Sequence, residues 1–184
     1  MPQDLPESVV SKVVSNAVSN HNHFKLLAQM RVKGGEDYVA FVSELLTDSV
    51  SSGIRTFEDY DLRLFDDIRE FQAAIAEKEN FFKLSRMVAG YAWDWKSRND
   101  ETGLVKDIEI DGLSLVWNRA RKDWVSSEGS PDEVGSIHTV QGYDLNYCGV
   151  IIGEDLQFDP IRQKIVFSRE NYKDTKGKEN NVKL

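Results

Sequence analysis

Ser136, His138, Thr139, Gln141 and Asp144 crowd around Gly142, and together they can donate and accept hydrogen bonds of several kinds. They belong to the stretch Glu133 to Gly153, EVGSIHTVQGYDLNYCGVIIG. Its second half, Tyr147 to Gly153, is a short apolar run with β-branched residues, closed by glycine, and predicts a strand buried on both faces of a parallel sheet. A polar loop leading into such a strand brings hydroxyls, an imidazole, an amide and a carboxylate to one place, as ligand-binding loops do. His138 suits a neutral hydrogen-bonding role better than base catalysis, because the stretch supplies no nucleophile of its own for it to activate.

Other residues invite a chemical reading. Arg31 follows the run His23-Phe24-Lys25-Leu26-Leu27-Ala28-Gln29, which reads as a strand, and precedes Lys33-Gly34-Gly35, a loop. That places a permanently charged guanidinium, able to grip phosphate with two hydrogen bonds, on the ligand edge of a parallel sheet; a surface arginine on a loop is the plain alternative. Trp93 and Trp95 could stack on the bases of a single strand, or pack, one into the core and one over a neighbouring loop; packing is favoured. Asp107, Glu109 and Asp111 alternate as ligands of a hard cation would on a strand, but Asp111-Gly112 makes a hairpin turn, and a solvated hairpin face explains them more simply. His21 and His23 have no third ligand nearby and suit a polar surface. Cys148, the one cysteine, is expected to be a small buried hydrophobe, and a single cysteine leaves neither an intrachain disulfide nor a CxxC metal site; no metal ligands are assigned.

Ser136-Ile137-His138-Thr139-Val140-Gln141-Gly142-Tyr143-Asp144 resembles motif V of superfamily 1 helicases, usually Thr-x-His-x-x-Gln-Gly-x-Glu before a hydrophobic strand. Ser136 stands where threonine is usual and Asp144 where glutamate is usual. Leu27 to Arg31 is similar to motif IV, whose arginine reaches the γ-phosphate of ATP. The longer string IHTVQGYDLNYCGVIIG, with GYAWDW upstream, resembles the Schlafen group 3-like helicase family. The resemblance implies an α/β fold, a three-layer RecA-like domain with a mainly parallel sheet, acting as the second lobe of a motor. It implies catalytic service for Arg31 and nucleotide contacts for Gln141, Gly142 and Asp144. Ser136, His138, Thr139 and Trp93 would then lie along the nucleic-acid track. ATP and Mg²⁺ would act in the full-length protein. The partners would be the first RecA-like lobe of the same polypeptide and single-stranded DNA or RNA.

Several elements must position these residues. Val9, Val10, Val13, Val14 and Ala17 recur at helical spacing within Pro6 to Asn20, and Tyr38, Phe41, Val42, Leu45 and Leu46 form a stripe over Glu36 to Leu46. Leu62 to Phe65 reads as a short strand. Asp67, with Glu70 three residues on, marks the start of a helix carrying Phe71 and Ile75 on one face. Met87 to Trp93 reads as a third strand and Asp107 to Val116 as a hairpin turning at Asp111-Gly112. Trp117 and Trp124 should close apolar surface nearby. Ile161 to Ser168 is a candidate edge strand, and residues 173–184, polar and charged, should be mobile.

The 184 residues fit one domain, with 40% hydrophobic and 29% charged residues. No apolar run approaches the roughly 20 residues that cross a bilayer, and the N-terminus lacks the pattern of a secretory signal, so the cytoplasm is the expected location. A formal charge of −8 argues against a generic basic nucleic-acid binder but leaves room for a local groove. No G-x-x-x-x-G-K-[ST] occurs, so the chain is expected to be a fragment of a larger motor, inactive by itself. A degenerate RecA-like module that only binds protein or nucleic acid is the alternative, and a metal-dependent nuclease using Asp107, Glu109 and Asp111 the third reading.

Overall fold

The computed structural model describes residues 6–24, 32–47, 55–100, 102–120 and 123–179. Arg31 and most of the strand expected over His23 to Gln29 lie outside them; His23 and Phe24 are exposed and irregular. Helix α1 spans Glu7–Ser19 and α2 Gly35–Thr47, where helical periodicity predicts them, yet neither buries a residue fully. Tyr38 of α2 packs on Phe57 and Tyr60, with ring centroids 5.7 and 4.6 Å away. Leu62 to Phe65 is not a strand. Its backbone finds no ladder among the described residues, and Leu64 is 90% exposed, while the Phe65 ring meets Phe71 edge-on at 5.9 Å.

Helix α3, Ile68–Phe82, begins as its sequence dictates: Asp67 Oδ1 accepts from the backbone N–H groups of Arg69 and Glu70 at 2.7 and 3.1 Å. Phe71 and Ile75, one turn apart, are its buried residues. They cover one face of a three-stranded parallel sheet. Its central strand β1, Ser85–Ala89, is buried along its whole length. It starts earlier than the expected Met87 to Trp93 because Arg86, only 4% exposed, is neutralised: Nη1 lies 2.7 Å from the Glu79 carboxylate of α3, and Nη2 donates to Val125 O at 2.8 Å. After Ala89 the chain leaves the ladder, so Trp93 lies beyond it.

The hairpin β2, Ile108–Ile110, and β3, Leu113–Leu115, forms with Asp111 and Gly112 both at positive φ (46° and 74°), the conformation that Asp-Gly favours in a two-residue turn. Strand β4, Val134–Ser136, pairs with β1 on one side, Met87 opposite Val134, and β5, Tyr147–Ile151, pairs on the other, Met87 opposite Gly149; all run parallel. The sequence gives little sign of β4, three residues interrupted by Gly135. β5 is buried on one face rather than both. Gly149 and Ile151 face α3, where a Cβ on Gly149 would come within 2.5 Å of the Phe71 ring, whereas Cys148 is exposed and Val150 and Ile152 are 60% and 61% exposed. On that second face a short 3-10 turn, Trp124–Ser126, and the crossover from β4 to β5 cover Val88; no described helix forms a third layer there.

The hairpin β6, Leu156–Asp159, and β7, Lys164–Phe167, completes the strands, so the edge strand expected over Ile161 to Ser168 begins three residues later, after a turn. Within the segment expected to be mobile, α4 spans Thr175–Glu179, and Lys173 N–H donates to Tyr91 O, just beyond the end of β1, at 2.6 Å.

Candidate nucleic-acid and nucleotide interface

The carboxyl ends of β1 and β4 lie side by side, and the polar loop begins there, at the end of β4. The hairpin's exit strand braces it: Trp117, 0% exposed, donates its Nε1–H to Ala89 O at 3.3 Å and meets Tyr91 edge-on at 4.9 Å. Val134 N–H bonds Val116 O, and Asn118 N–H bonds Val134 O, both at 2.9 Å. Buried Glu133 accepts from Arg119 N–H and Ala120 N–H at 2.6 and 3.0 Å. Trp124 lies against Gly135, where a Cβ would come within 2.5 Å of its ring.

Ser136 is 0% exposed, so its hydroxyl acts on the loop instead of facing solvent. Its Oγ donates to Asn118 Oδ1 at 2.9 Å and accepts from the N–H groups of His138 and Thr139, each at 3.3 Å. Thr139 Oγ1 returns the bond, accepting from Ser136 N–H at 2.6 Å and donating to Ser136 O at 3.0 Å. This reciprocal serine–threonine turn replaces a backbone ladder at the point where β4 ends. Val140 to Tyr143 then make a tight turn closed by Tyr143 N–H on Val140 O at 3.3 Å, with Gly142 at φ +91°, a conformation open to glycine. Val140, Tyr143 and Leu145 pack down against Val88, Trp124 and Val125. His138, Gln141 and Asp144 are left exposed.

The fold thus brings Ser136, His138, Thr139, Gln141, Gly142 and Asp144 into one loop with a division of labour that motif spacing alone does not show: Ser136 and Gly142 shape it, and His138, Gln141 and Asp144 face outward. His138 lies 6.0 Å from the Tyr91 ring, whose hydroxyl is held above the usual phenol range by burial and by nearby Asp174. Trp93 stands apart. It packs against the core, and a Cβ on Gly153 would come within 2.8 Å of its ring. Trp95 also packs inward, 6.0 Å from Trp117, so both indoles serve packing in this conformation. Arg31 lies outside the described residues.

A cavity of about 320 Å³ opens beside the loop, lined by His138, Thr139, Gln141 and Tyr143 with Asn118, Asp123 and Trp124. Asn118, Asp123 and Trp124 are the contributors that motif reading misses. Asn118 is held at φ +54° directly after the Asp-Gly hairpin, and its residue type, which tolerates the left-handed region, was the available signal.

The hairpin carboxylates do not form a metal centre. Asp107 is 2% exposed and spends both oxygens on backbone, accepting from Ser97 N–H at 2.8 Å and Trp117 N–H at 3.0 Å. Glu109 faces solvent near Lys96. Among the described residues no group of three His, Cys, Asp or Glu could hold a metal ion, which removes the observation that favoured a nuclease. Nor is any described helix long and apolar enough to cross a membrane.

The uncharacterized protein YPL245W of Saccharomyces cerevisiae is 32% identical over 127 residues, 65% of this chain and 27% of the relative, so the chain spans about a quarter of that protein's length. No solved structure matches. The family described as Schlafen group 3, DNA/RNA helicase domain, matches residues 5–183. A chain matched over nearly its whole length, carrying that loop at the carboxyl edge of a parallel sheet, belongs to the Schlafen group 3 DNA/RNA helicase domain family.

Proposed function

We propose that this chain is the second RecA-like lobe of an ATP-dependent helicase or translocase that moves on single-stranded DNA or RNA. The observation that carries this reading is the Ser136–Asp144 loop, fixed from below by its apolar residues and from the side by Ser136, with polar side chains outward at the carboxyl edge of the sheet. In this reading His138 and Thr139 contact the nucleic acid, Ser136 holds the turn that presents them, and Trp93 supports the same edge. Gln141, Gly142 and Asp144 face the nucleotide. Arg31 reaches the γ-phosphate of ATP, the substrate, where its charge stabilises the transferred group. The first lobe of the same polypeptide supplies the phosphate-cradling loop and the residues that hold Mg²⁺.

Because both sets of contacts hang on one short backbone segment, a shift of the loop on ATP binding moves them together. The test is steady-state ATPase of the full-length protein with and without single-stranded DNA or RNA. His138→Ala should weaken stimulation by nucleic acid more than the basal rate, and Asp144→Ala should raise the apparent KM for ATP. Equal loss of basal and stimulated rates in folded His138→Ala would remove the division of labour. A full-length protein with no nucleotide turnover that still binds single strands would favour the binding-only module.

A further inference from the structure

The cavity beside the motif loop, about 320 Å³ and bordered by Asn118, Asp123, Trp124, His138, Gln141 and Tyr143, holds polar groups that the fold leaves unused. Asp123 is the least expected of them. It stands in the left-handed region, at φ +47°, directly before the Trp124–Ser126 turn, and Ser126 N–H fixes its backbone by donating to Asp123 O at 3.0 Å. An aspartate so placed ordinarily caps the turn, yet its side chain makes no capping bond, and it has no hydrogen-bond or ion-pair partner among the described residues. Trp124, 1% exposed and lodged against Gly135, makes the neighbouring wall rigid. The Ser136 hydroxyl donates to Asn118 Oδ1 at 2.9 Å, since Ser136 Oγ already accepts from two N–H groups, so the Asn118 NH₂ is left without an acceptor among the described residues.

A carboxylate on the wall argues against phosphate as the occupant, because the two carry like charge. What suits the wall is a neutral planar group that offers N–H donors to Asp123 and an acceptor to the Asn118 amide, with ring faces against Trp124 and Tyr143. At roughly 30 Å³ per water the cavity has room for about ten waters, enough for one purine. Guanine meets the carboxylate best among the nucleobases. Its N1–H and N2–H₂ point the same way and can take both oxygens, while O6 on the same edge is left for the amide. Adenine and cytosine set a lone pair beside their amine, and thymine and uracil set one N–H between two carbonyls, so each turns an acceptor toward Asp123.

We propose that this cavity is a guanine-selective pocket, in which the Asp123 carboxylate accepts from the Watson–Crick edge of the base and the Asn118 amide donates to its carbonyl oxygen. The phosphates stay outside, so the pocket reads a base where backbone contacts alone would only position a strand. His138 and Thr139 at the same cavity belong to the proposed strand contacts and Gln141 to the proposed nucleotide contacts, so the guanine arrives either on a single strand or on guanosine triphosphate. This rests on the proposed reading of the loop and adds to it the chemistry of the base that the loop receives.

The experiment measures fluorescence-anisotropy binding to the full-length protein of labelled oligo(dT) and oligo(U), each with and without a single central guanine, and of fluorescently labelled GTP and ATP. The unaltered protein should bind the guanine-containing strand over its parent, or GTP over ATP, about tenfold or more tightly, the discrimination that one bidentate pair provides. Asp123→Asn alters an exposed side chain and suits the same left-handed backbone, and it should bring that ratio to about one. His138→Ala should weaken strands with and without guanine. A preference among strands assigns the pocket to the strand, and a preference confined to GTP assigns it to the nucleotide. Equal binding within every pair by the unaltered protein overturns the pocket without recourse to a variant, as does a preference that Asp123→Asn keeps; if His138→Ala still weakens the strands, the loop's nucleic-acid role stands without it. If no strand binds while a GTP preference depends on Asp123, the pocket stands and the nucleic-acid reading falls. If neither strands nor nucleotides bind, both fall.

Discussion

Arg86→Met tests whether the sheet's second face depends on one buried cation. Arg86 is 4% exposed, and its guanidinium meets the Glu79 carboxylate at 2.7 Å, Ser85 O at 2.9 Å, Val125 O at 2.8 Å and Ser130 Oγ at 3.2 Å. Methionine can fill much of the volume but none of the bonds, leaving the Glu79 carboxylate with the Ser85 N–H that donates to it at 2.8 Å and Val125 O without the guanidinium. Removing one partner of a fully buried pair costs about 3 to 5 kcal/mol, and since the Glu79 side chain keeps 18% of its surface exposed, the loss here should fall toward or below the lower end of that range. For a domain of this size each kcal/mol lowers Tm by about 2 to 4 °C. Urea unfolding followed by circular dichroism reads the change, with the slope checked so that a shifted midpoint reports stability. Replacing both partners, Arg86→Met with Glu79→Leu, should recover most of the loss. A loss below about 1 kcal/mol in Arg86→Met, or no recovery in the double variant, would show that the pair does not anchor the Trp124–Ser126 turn to β1.

Three further outcomes follow from neighbouring contacts. Burial raises the Glu79 carboxyl, but Ser85 N–H and Arg86 more than offset it and hold the group below the usual glutamate range; the associated stability is present above about pH 4.3 and is lost as pH falls through the lower folded value. A urea midpoint that drops across this acidic window in the unaltered protein should do so less in Glu79→Gln. Ser136→Ala strips Asn118 Oδ1 of its donor and frees two amides, which should cost about 1 to 3 kcal/mol and speed hydrogen exchange at His138 and Thr139; unchanged exchange would mean the turn is held otherwise. Gly149→Ala would press a Cβ to within 2.5 Å of Phe71 and 2.8 Å of Ile75, an overpacking cost of about 1 to 3 kcal/mol measurable by thermal unfolding.

Local chemistry made some elements readable and left others hidden. Asp67, Phe71 and Ile75 announce α3 because capping and helical spacing act within a few residues, and Asp111-Gly112 announces its hairpin for the same reason. β4 could not be read: three residues interrupted by a glycine carry no periodicity, and Gly135 is there to admit the Trp124 ring. Leu62 to Phe65 has strand-like residues but no pairing partner among the described residues, and pairing is a tertiary fact. Arg86 looks like a surface residue until Glu79, one helix away, neutralises it. At the site, the residues that the motif groups fall in one loop. The motif could not separate Ser136, which is buried, from His138, which is exposed, because that difference comes from Asn118, 18 residues earlier in the chain.

The order of strands in the sheet also sets a schedule. β1 lies in the middle, yet both of its partners come late, Val134 to Ser136 and Tyr147 to Ile151, with the hairpin and the Trp124 turn between. Helix α3 and the β2–β3 hairpin close through local contacts, on timescales of about microseconds, whereas each parallel pairing must first close a long loop. The Ser136–Asn118 bond depends on β4 docking, and the loop's apolar underside depends on β5 docking beyond it. The Ser136–Asp144 loop is therefore among the last parts of the chain to take shape. During synthesis it would stay unformed until Ile151 has cleared the ribosome, so any contact that needs its ordered turn must wait for the sheet to close.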